Sequence, residues 1–209
     1  MLIRKEQLPS GALLGVWEMT ESRDELLSQF PERLRSEAHR YLEHIRSERR
    51  CIEWLATRLM LFQLLGEEKI IHNREDGSPY LEDGCQRISI SHTRDFAAML
   101  LHEWAPVGID VETRTERVSR IADKFIAPNE YIDPKQKTVH QLLHWSAKES
   151  LFKLIGLQGI DFREHLQIAP FTPGDKGVMQ ATETRSRKAG TYTIYYEVHP
   201  RYVLTWTTG

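Results

Sequence analysis

The sequence has few cysteines, no long apolar run and no excess of either charge, and each shortage excludes a class of protein. Its 209 residues include two cysteines, Cys51 and Cys85, with no Cys-x-x-Cys pair, which argues against a disulfide framework and against a zinc module. The longest apolar run, residues 96–101, is too short to cross a bilayer, and residues 1–7 lack the apolar segment of a secretory leader. The sequence therefore predicts a protein of the reducing cytoplasm with no membrane partner.

The charges of the chain are nearly balanced. Lys and Arg number 28 against 30 Asp and Glu, a net charge of −2, so a nucleic-acid partner is not expected. A hydrophobic content of 40% is typical of a globular protein, and this length allows one large domain or two small ones. Basic residues nevertheless cluster at Arg46, Arg49, Arg50 and Arg58, which indicates either a local anion site or a solvated helix face.

The functional interpretation begins with the stretch Val107–Glu112, a short β-branched run that contains two acids. In a strand, alternate side chains project from the same face, so Asp110 and Glu112 lie side by side. Two adjacent carboxylates are unfavourable unless a cation lies between them, and Mg²⁺ prefers such oxygen ligands. For an isolated pair, an edge strand with two solvated acids is the better interpretation. A third acid and a phosphate-binding group elsewhere would change that.

The remaining pattern predicts an α+β protein of two lobes, residues 1–105 and 106–209, each with a strand, helices and then two strands. Predicted helices begin near Arg23, Pro31 and Ser47, and two more cover residues 117–126 and 138–156, the last with a capping box of Thr138 and Gln141. Predicted strands cover residues 12–19, 87–91, 96–101, 107–112, 191–198 and 201–207. Residues 73–84 and 169–189 are predicted as loops, the second of them mobile.

The second decisive stretch is Trp145–Lys153, which lies within the last predicted helix. Glu149 and Lys153 are one helical turn apart, and a surface ion pair at this spacing stabilises a helix by only ~0.2–0.5 kcal/mol. That ordinary interpretation is favoured for the pair alone, although Trp145, one turn earlier, argues against full exposure of this helix face.

Together the two stretches resemble the signature of the Sfp-type 4′-phosphopantetheinyl transferases, in which Gly108-Ile-Asp-Val-Glu112 is followed by Trp145-x-x-Lys-Glu-x-x-x-Lys153. Other elements occur in the family's order: the arginine-bearing helix Arg49–Arg58, the loop Gly77-Ser78-Pro79, the Ser-His strand Ile88–His92 and the segment Phe125–Glu130. The resemblance covers about residues 46–159 and is weak or silent outside them.

The resemblance implies a pseudo-dimer of two similar α/β lobes within one monomer, with the active site in the cleft between the lobes. The implied reaction transfers 4′-phosphopantetheine from coenzyme A to a serine hydroxyl of an acyl or peptidyl carrier protein and releases adenosine 3′,5′-bisphosphate. Asp110, Glu112 and Glu149 would bind Mg²⁺, or Mn²⁺ with similar ligands. Lys153 would bind the diphosphate, and Glu149 would be the base for the hydroxyl.

The resemblance also implies contacts to coenzyme A in the first lobe. They are Arg50, Arg58, Gly77, Pro79, Ser91 and His92, joined by Lys153 from the second lobe. One departure is Ser78, which replaces the lysine of the family's Gly-Lys-Pro loop and predicts weaker or rearranged binding of the 3′-phosphate, with more weight on the arginines. Glu130 is either an acid near the metal or a helix N-terminal cap.

Two other functions use the same residues differently. A metal-dependent phosphohydrolase or nuclease would use the acids with water as the nucleophile, although the chain lacks the further ligands of a two-metal site. A non-catalytic module would bind coenzyme A or the carrier protein without reaction, and the intact set of Asp110, Glu112, Glu149 and Lys153 speaks against it.

Overall fold

The structure is a computed structural model that describes residues 1–186 and 189–209, and the chain divides into two compact units, Met1–Trp104 and Ala105–Gly209. The first unit contains β1 (Leu2–Gln7), β2 (Leu13–Glu18), α1 (Arg23–Gln29), α2 (Glu32–Glu43), α3 (Glu48–Leu65), β3 (Ile71–Asn73), β4 (Pro79–Leu81), β5 (Arg87–His92) and β6 (Phe96–His102). The second contains β7 (Val107–Thr113), α4 (Lys137–Ile155), β8 (Leu166–Ile168), β9 (Lys176–Glu183), β10 (Gly190–Val198) and β11 (Tyr202–Thr208).

Helices and antiparallel sheets in both units confirm the predicted α+β class. The pseudo-dimer with a cleft between lobes stays a prediction. No helix among residues 1–186 and 189–209 is long and apolar enough to cross a membrane.

The helices of the first unit begin where local sequence predicts. Ser22 and Glu25 form a reciprocal capping box at the start of α1. The Ser47 side chain accepts a hydrogen bond from the Arg50 N–H at the start of α3, and Gly66, with φ 71°, ends that helix. These ends depend on backbone groups within a few residues, which is why the sequence alone predicts them.

In the first unit, α3 packs on a sheet with the strand order β1-β2-β6-β5. The facing side chains are apolar and fully buried, and they form one core that includes Trp17, Ala56, Leu59 and Ala97. Burial of such side chains stabilises a fold by roughly 1.5–3 kcal/mol for each large residue.

In the second unit, α4 lies across β7 and β11 of a sheet with the order β7-β11-β10-β9-β8. Helix and strand approach so closely that a Cβ on Gly108 would overlap the carbonyl oxygen of Ser150. Only glycine fits this position, and the residues that follow on the same face of β7 are Asp110 and Glu112. The close approach therefore holds both acids against α4.

The predicted helix over residues 117–126 is wrong. The chain forms two 3₁₀ turns there, Glu116–Arg120 and Ala122–Lys124, separated by Ile121 with φ −122°. Apolar residues of the segment, Phe125 among them, are nevertheless buried. The apolar spacing correctly indicated a buried face, but it did not distinguish a helix from consecutive turns.

The predicted capping box of Thr138 and Gln141 is also wrong, because α4 already begins at Lys137. The Thr138 hydroxyl donates to Glu116, and the Gln141 side chain accepts from the hydroxyl of Ser119. Both predicted cap side chains thus bind the preceding 3₁₀ segment, a tertiary contact that local sequence does not show.

The predicted loop over residues 169–189 is wrong for residues 176–183, which form β9 between β8 and β10. Met179 and Ala181 face the core while the residues between them are exposed, so the strand period is present. The apolar Val178 faces outward and the charged Glu183 is buried, and these two exceptions hid the pattern in the sequence. Residues 187–188 of the predicted loop lie outside the described residues.

Three strands of the first unit, β1, β3 and β4, had no prediction. Within the predicted loop 73–84, β4 pairs with β3 as a hairpin. Strand β1 pairs with β2 at the edge of the larger sheet, and most of its side chains are exposed. Such strands bury too little to show an apolar alternation.

Candidate active site

Four of the predicted site residues come together in the second unit. Asp110 on β7 is buried, with 3% of its surface exposed, and its Oδ1 is 2.8 Å from the Lys153 ammonium of α4. Lys153 also donates to the Ile109 carbonyl at 3.0 Å. Asp110 Oδ2 accepts from the Ser146 hydroxyl at 2.8 Å. Strand and helix therefore hold this carboxylate from both sides.

Glu112, two residues further along β7, is held by an aromatic side chain. The Trp145 indole N–H donates to Glu112 Oε1 at 2.7 Å, and the Trp145 ring packs against Phe125 and Phe162. A Trp at this position orients the acid while shielding it on one side. The sequence had indicated only that Trp145 reduces exposure of the helix face.

Glu149 faces the same acids but differs from them in its contacts. Across the described residues, its carboxylate makes no hydrogen bond or ion pair. Burial, and after it the charge of Asp110, raise the pKa of Glu149 and of Glu112 to about 7. Three carboxylates therefore share one nearby ammonium, and the cluster is deficient in positive charge.

This deficiency bears on the predicted metal. Hard oxygen donors with excess negative charge are the donor set that Mg²⁺ prefers, so Asp110, Glu112 and Glu149 fit a divalent cation in type and charge. As the side chains of residues 1–186 and 189–209 lie, no three His, Cys, Asp or Glu residues form a group that could hold an ion. The ligand set therefore stays a prediction.

The other lysine of the signature, Lys148, lies in the core and not at the acid cluster. Its ammonium is fully buried and donates to Glu130, at 2.7 Å, and to the carbonyls of Phe125 and Phe162. Burial lowers the pKa of Lys148, while the Glu130 charge opposes that effect. The Glu130 carboxylate also accepts from two backbone N–H groups, at Ala127 and Ile168. Glu130 thus joins loops to α4. No helix of the described residues begins at it, so the predicted helix cap is wrong, while a place near the metal stays a prediction.

In the first unit, the two predicted arginines of α3 differ. Arg50 lies exposed in the first turn. Arg58 is enclosed: its guanidinium lies 4.4 Å above the Trp54 ring and donates to Thr57 and to the Ile71 carbonyl. Burial lowers the pKa of Arg58 to about 10, and its buried Nε has no hydrogen-bond partner.

Ser91 and His92 end β5, where Ser91 is buried and the His92 side chain is 45% exposed. His92 Nδ1 lies 3.6 Å from Glu53, whose carboxylate also binds the Arg49 guanidinium at 2.7 Å. The strand end therefore faces Arg49, an arginine of the motif helix that the predicted contact set omits.

Gly77 and Pro79 belong to the β3–β4 hairpin. Gly77 has φ 85°, a left-handed conformation that favours glycine, and Pro79 opens β4. The Arg74 guanidinium lies 4.9 Å above the Tyr80 ring and donates to Ser78 at 3.3 Å. An arginine thus stands beside the serine of this turn.

A family profile described as the 4′-phosphopantetheinyl transferase superfamily matches residues 106–207, which contain the whole acid cluster and Lys153. Over these residues the chain is similar to the 4′-phosphopantetheinyl transferase superfamily. The resemblance read from the sequence is therefore confirmed.

Two curated relatives agree with this similarity. The 4′-phosphopantetheinyl transferase gsp of Aneurinibacillus migulanus is 30% identical over 125 residues, which cover 56% of this chain and 52% of the relative. A Haemophilus influenzae protein provisionally named 4′-phosphopantetheinyl transferase is 34% identical over 113 residues, 47% of this chain and 48% of the relative. The chain thus spans about half the length of the curated relatives that it matches.

Sequence reasoning found the acids and Lys153 of the candidate site but missed residues that contact them. Ser146 lies inside the Trp145–Lys153 signature, so its spacing from Glu149 was available as a signal. Arg74 lies four residues before Ser78 in a turn-rich segment, but only the hairpin shows that the two side chains meet. The next residue behind the cluster, Thr205, comes from β11 and has no local signal.

Proposed function

We propose that the protein transfers 4′-phosphopantetheine from coenzyme A to a serine of an apo acyl or peptidyl carrier protein, with Mg²⁺ or Mn²⁺. The observation that carries this proposal is the cluster of Asp110, Glu112 and Glu149 around Lys153, within the segment that matches the superfamily. A diphosphate substrate with its cation would supply the positive charge and the ligand oxygens that the cluster lacks.

The proposed reaction is a single displacement at the β-phosphorus of coenzyme A. The serine oxygen bonds to the β-phosphorus of coenzyme A, the bond to the leaving adenosine 3′,5′-bisphosphate breaks, and the serine proton passes to Glu149. Lys153 offers an ammonium to the diphosphate. A cation held by Asp110, Glu112 and Glu149 would neutralise charge on the diphosphate oxygens.

Coenzyme A contacts in the first unit are part of the same proposal. The predicted contact set stays a proposal; it comprises Arg50, Arg58, Gly77, Pro79, Ser91 and His92. The arginines of this unit differ in how accessible their guanidinium groups are. Arg58 is enclosed and already bonded, whereas Arg49 beside His92 and Arg74 beside Ser78 present guanidinium groups at the surface. We therefore add Arg49 and Arg74 as phosphate contacts.

A direct test mixes the full chain with coenzyme A, Mg²⁺ and apo carrier proteins of the fatty-acid, polyketide and peptide classes, and weighs each carrier by mass spectrometry. The expected result is a mass gain of one phosphopantetheine on at least one carrier, lost when Mg²⁺ is chelated. No gain on any carrier, where a known transferase modifies all three, would reject the proposal.

The same experiment separates the other functions. A phosphohydrolase would degrade coenzyme A in the absence of carrier, and a binding module would retain coenzyme A or carrier without changing the mass of either. A cytoplasmic location and a monomeric state stay predictions from the sequence.

A further inference from the structure

Behind the acid cluster, three buried hydroxyl groups form a chain that ends on Asp110. Ser150 Oγ lies 2.6 Å from Thr205 Oγ1, Thr205 Oγ1 lies 2.9 Å from Ser146 Oγ, and Ser146 Oγ lies 2.8 Å from Asp110 Oδ2. All three hydroxyl residues are fully buried. Thr205 comes from β11, opposite Asp110 in the strand register, so the chain links strand to helix.

The direction of these hydrogen bonds follows from counting protons. Each hydroxyl has one proton to donate, and the carboxylate of Asp110 only accepts, so the Ser146 proton points to Asp110. Thr205 must then be the donor toward Ser146, where its proton is shared with the Ser146 carbonyl at 2.9 Å. Ser150 in turn donates to Thr205, sharing with the Thr205 carbonyl at 3.0 Å. The three dipoles therefore align toward Asp110, and aligned hydrogen bonds strengthen one another.

The first unit contains an internal comparison. Counted from the glycine that ends each long helix, Ala56 of α3 matches Ser146 of α4. Trp17 follows Gly15 on β2 as Asp110 follows Gly108 on β7, and the register partner of Trp17 is Ala97, where Asp110 has Thr205. The first unit thus has alanine at both positions where the second unit has Ser146 and Thr205. Packing of the helix on the strands therefore does not by itself require hydroxyl groups there.

We propose that Ser146 and Thr205 are positioning residues for the cation site. By binding Oδ2 of Asp110, they keep the other oxygen, Oδ1, beside Lys153 and at the acid cluster. The inference rests on the proposed function for its cation, and it goes beyond it by assigning the orientation of Asp110 to hydroxyls from two separate elements. Loss of a hydrogen bond that orients a metal ligand typically costs roughly 10-fold or more in metal affinity.

The test compares Thr205→Val with Thr207→Val on the full chain. Thr207 is an equally buried threonine of β11 whose hydroxyl donates to the Thr193 carbonyl and has no part in the chain to Asp110. Valine keeps the shape and removes the hydroxyl in both variants. Free Mn²⁺ is followed by electron paramagnetic resonance during titration of the protein, without coenzyme A or carrier, and transfer is measured separately.

We expect Thr205→Val to weaken Mn²⁺ binding roughly 10-fold, Thr207→Val to leave it unchanged, and Thr205→Ser to restore it. Equal Mn²⁺ affinities in the two valine variants, or no Mn²⁺ binding by the wild-type chain, would overturn the inference. If Thr205→Val fails to fold, Ser146→Ala removes the last hydroxyl of the chain and must give the same loss. A wild-type chain that binds Mn²⁺ as expected but transfers nothing would reject the proposed function and leave this inference standing.

Discussion

In each of the two units a long helix packs on a pair of antiparallel strands, and this arrangement is called the plan below. The side chains placed on it differ between the units. In each, a long helix that ends at a left-handed glycine packs on two paired antiparallel strands, α3 on β2 and β6 and α4 on β7 and β11. In each, a glycine of the first strand lies against the helix, Gly15 beside Leu64 and Gly108 beside Ser150. The plan itself therefore does not specify a reaction.

The difference lies in the side chains placed on that plan. Two and four residues after the strand glycine, the first unit has Trp17 and Met19, where the second has Asp110 and Glu112. Counted from the closing glycine, Glu149 matches Leu59, and Lys153 matches Gln63. At these positions the first unit thus has mainly apolar side chains, whereas the second unit buries charged groups, which is unfavourable in free energy.

The largest expected effect is loss of transfer. Asp110→Ala and Glu149→Ala should each lower kcat/KM for the carrier by roughly 10³-fold or more, because each removes a ligand of the proposed cation that neutralises the reacting diphosphate. The matched control is Glu164→Ala, an exposed glutamate of the same unit. Rates come from the carrier mass over time, and melting curves check folding. Transfer retained within tenfold by either cluster variant would show that the acidic copy of the plan is not the reaction site.

A smaller effect concerns stability and compares the buried cations of the two helices, which also match when counted from the closing glycine. Lys148→Met removes the partner of buried Glu130 and should cost about 4 kcal/mol in the free energy of unfolding. Arg58→Met should cost less than about 1 kcal/mol, because Arg58 has no carboxylate partner to strand and its Nε is unpaired. Urea unfolding measures both, and similar losses would contradict the distinction.

The third prediction contrasts the two strand glycines. A Cβ at position 108 would overlap a backbone carbonyl, whereas at position 15 it would meet only the flexible side chain of Leu64. Gly108→Ala should therefore cost about 3 kcal/mol and Gly15→Ala about 1 kcal/mol in the free energy of unfolding. If the two alanine variants unfold at the same urea concentration, the closer helix–strand contact at Gly108 does not make a Cβ more costly there than at Gly15.

The fourth prediction concerns pH. The folded chain raises the pKa of Glu149 from 4.5 to about 7, so it binds more protons than the unfolded chain between these values, and its stability falls as pH rises through them. Glu149→Gln removes this loss. The free energy of unfolding of the variant should equal that of the wild type below pH 4.5 and should exceed it by on the order of 2 kcal/mol above pH 7.

The buried His144 also changes stability with pH, but it does so equally in the wild type and in Glu149→Gln. Burial lowers the pKa of His144 to about 3, which destabilises both proteins as pH falls below 6.5 and cancels in their difference. Saturating Mg²⁺ should stabilise the wild type above pH 7 and reduce the advantage of Glu149→Gln. A difference that stays constant from pH 4 to pH 8 would contradict the charge deficiency assigned to the cluster.

The smallest expected effect tests the first unit. Arg74→Ala should raise KM for coenzyme A by roughly 5-fold and leave KM for 3′-dephospho-coenzyme A nearly unchanged, because the arginine beside Ser78 would replace the missing lysine. Arg33→Ala, at an exposed position of α2 outside the proposed contact set, is the matched control and should change neither value. An equal rise with both substrates would assign Arg74 to the hairpin fold and not to the 3′-phosphate.

Prediction from the sequence succeeded where the signal was local. Capping groups placed the starts of α1 and α3, and glycines ended α3 and α4, because these ends depend on residues within one helical turn. It failed for the segment 117–126 and for β9. In these, apolar side chains are shared between distant elements and the local period is ambiguous.

For the candidate site, the sequence alone determined that two acids share one face of a strand and that Glu149 and Lys153 share one face of a helix. The repeat of a strand or a helix is enough to decide that. Only the tertiary structure decided which groups meet across the elements. It paired Lys153 with Asp110, assigned Lys148 and Glu130 to the core, and placed Thr205 of β11 behind Asp110. These contacts join residues far apart in the chain, and they depend on how closely Gly108 allows α4 to approach β7.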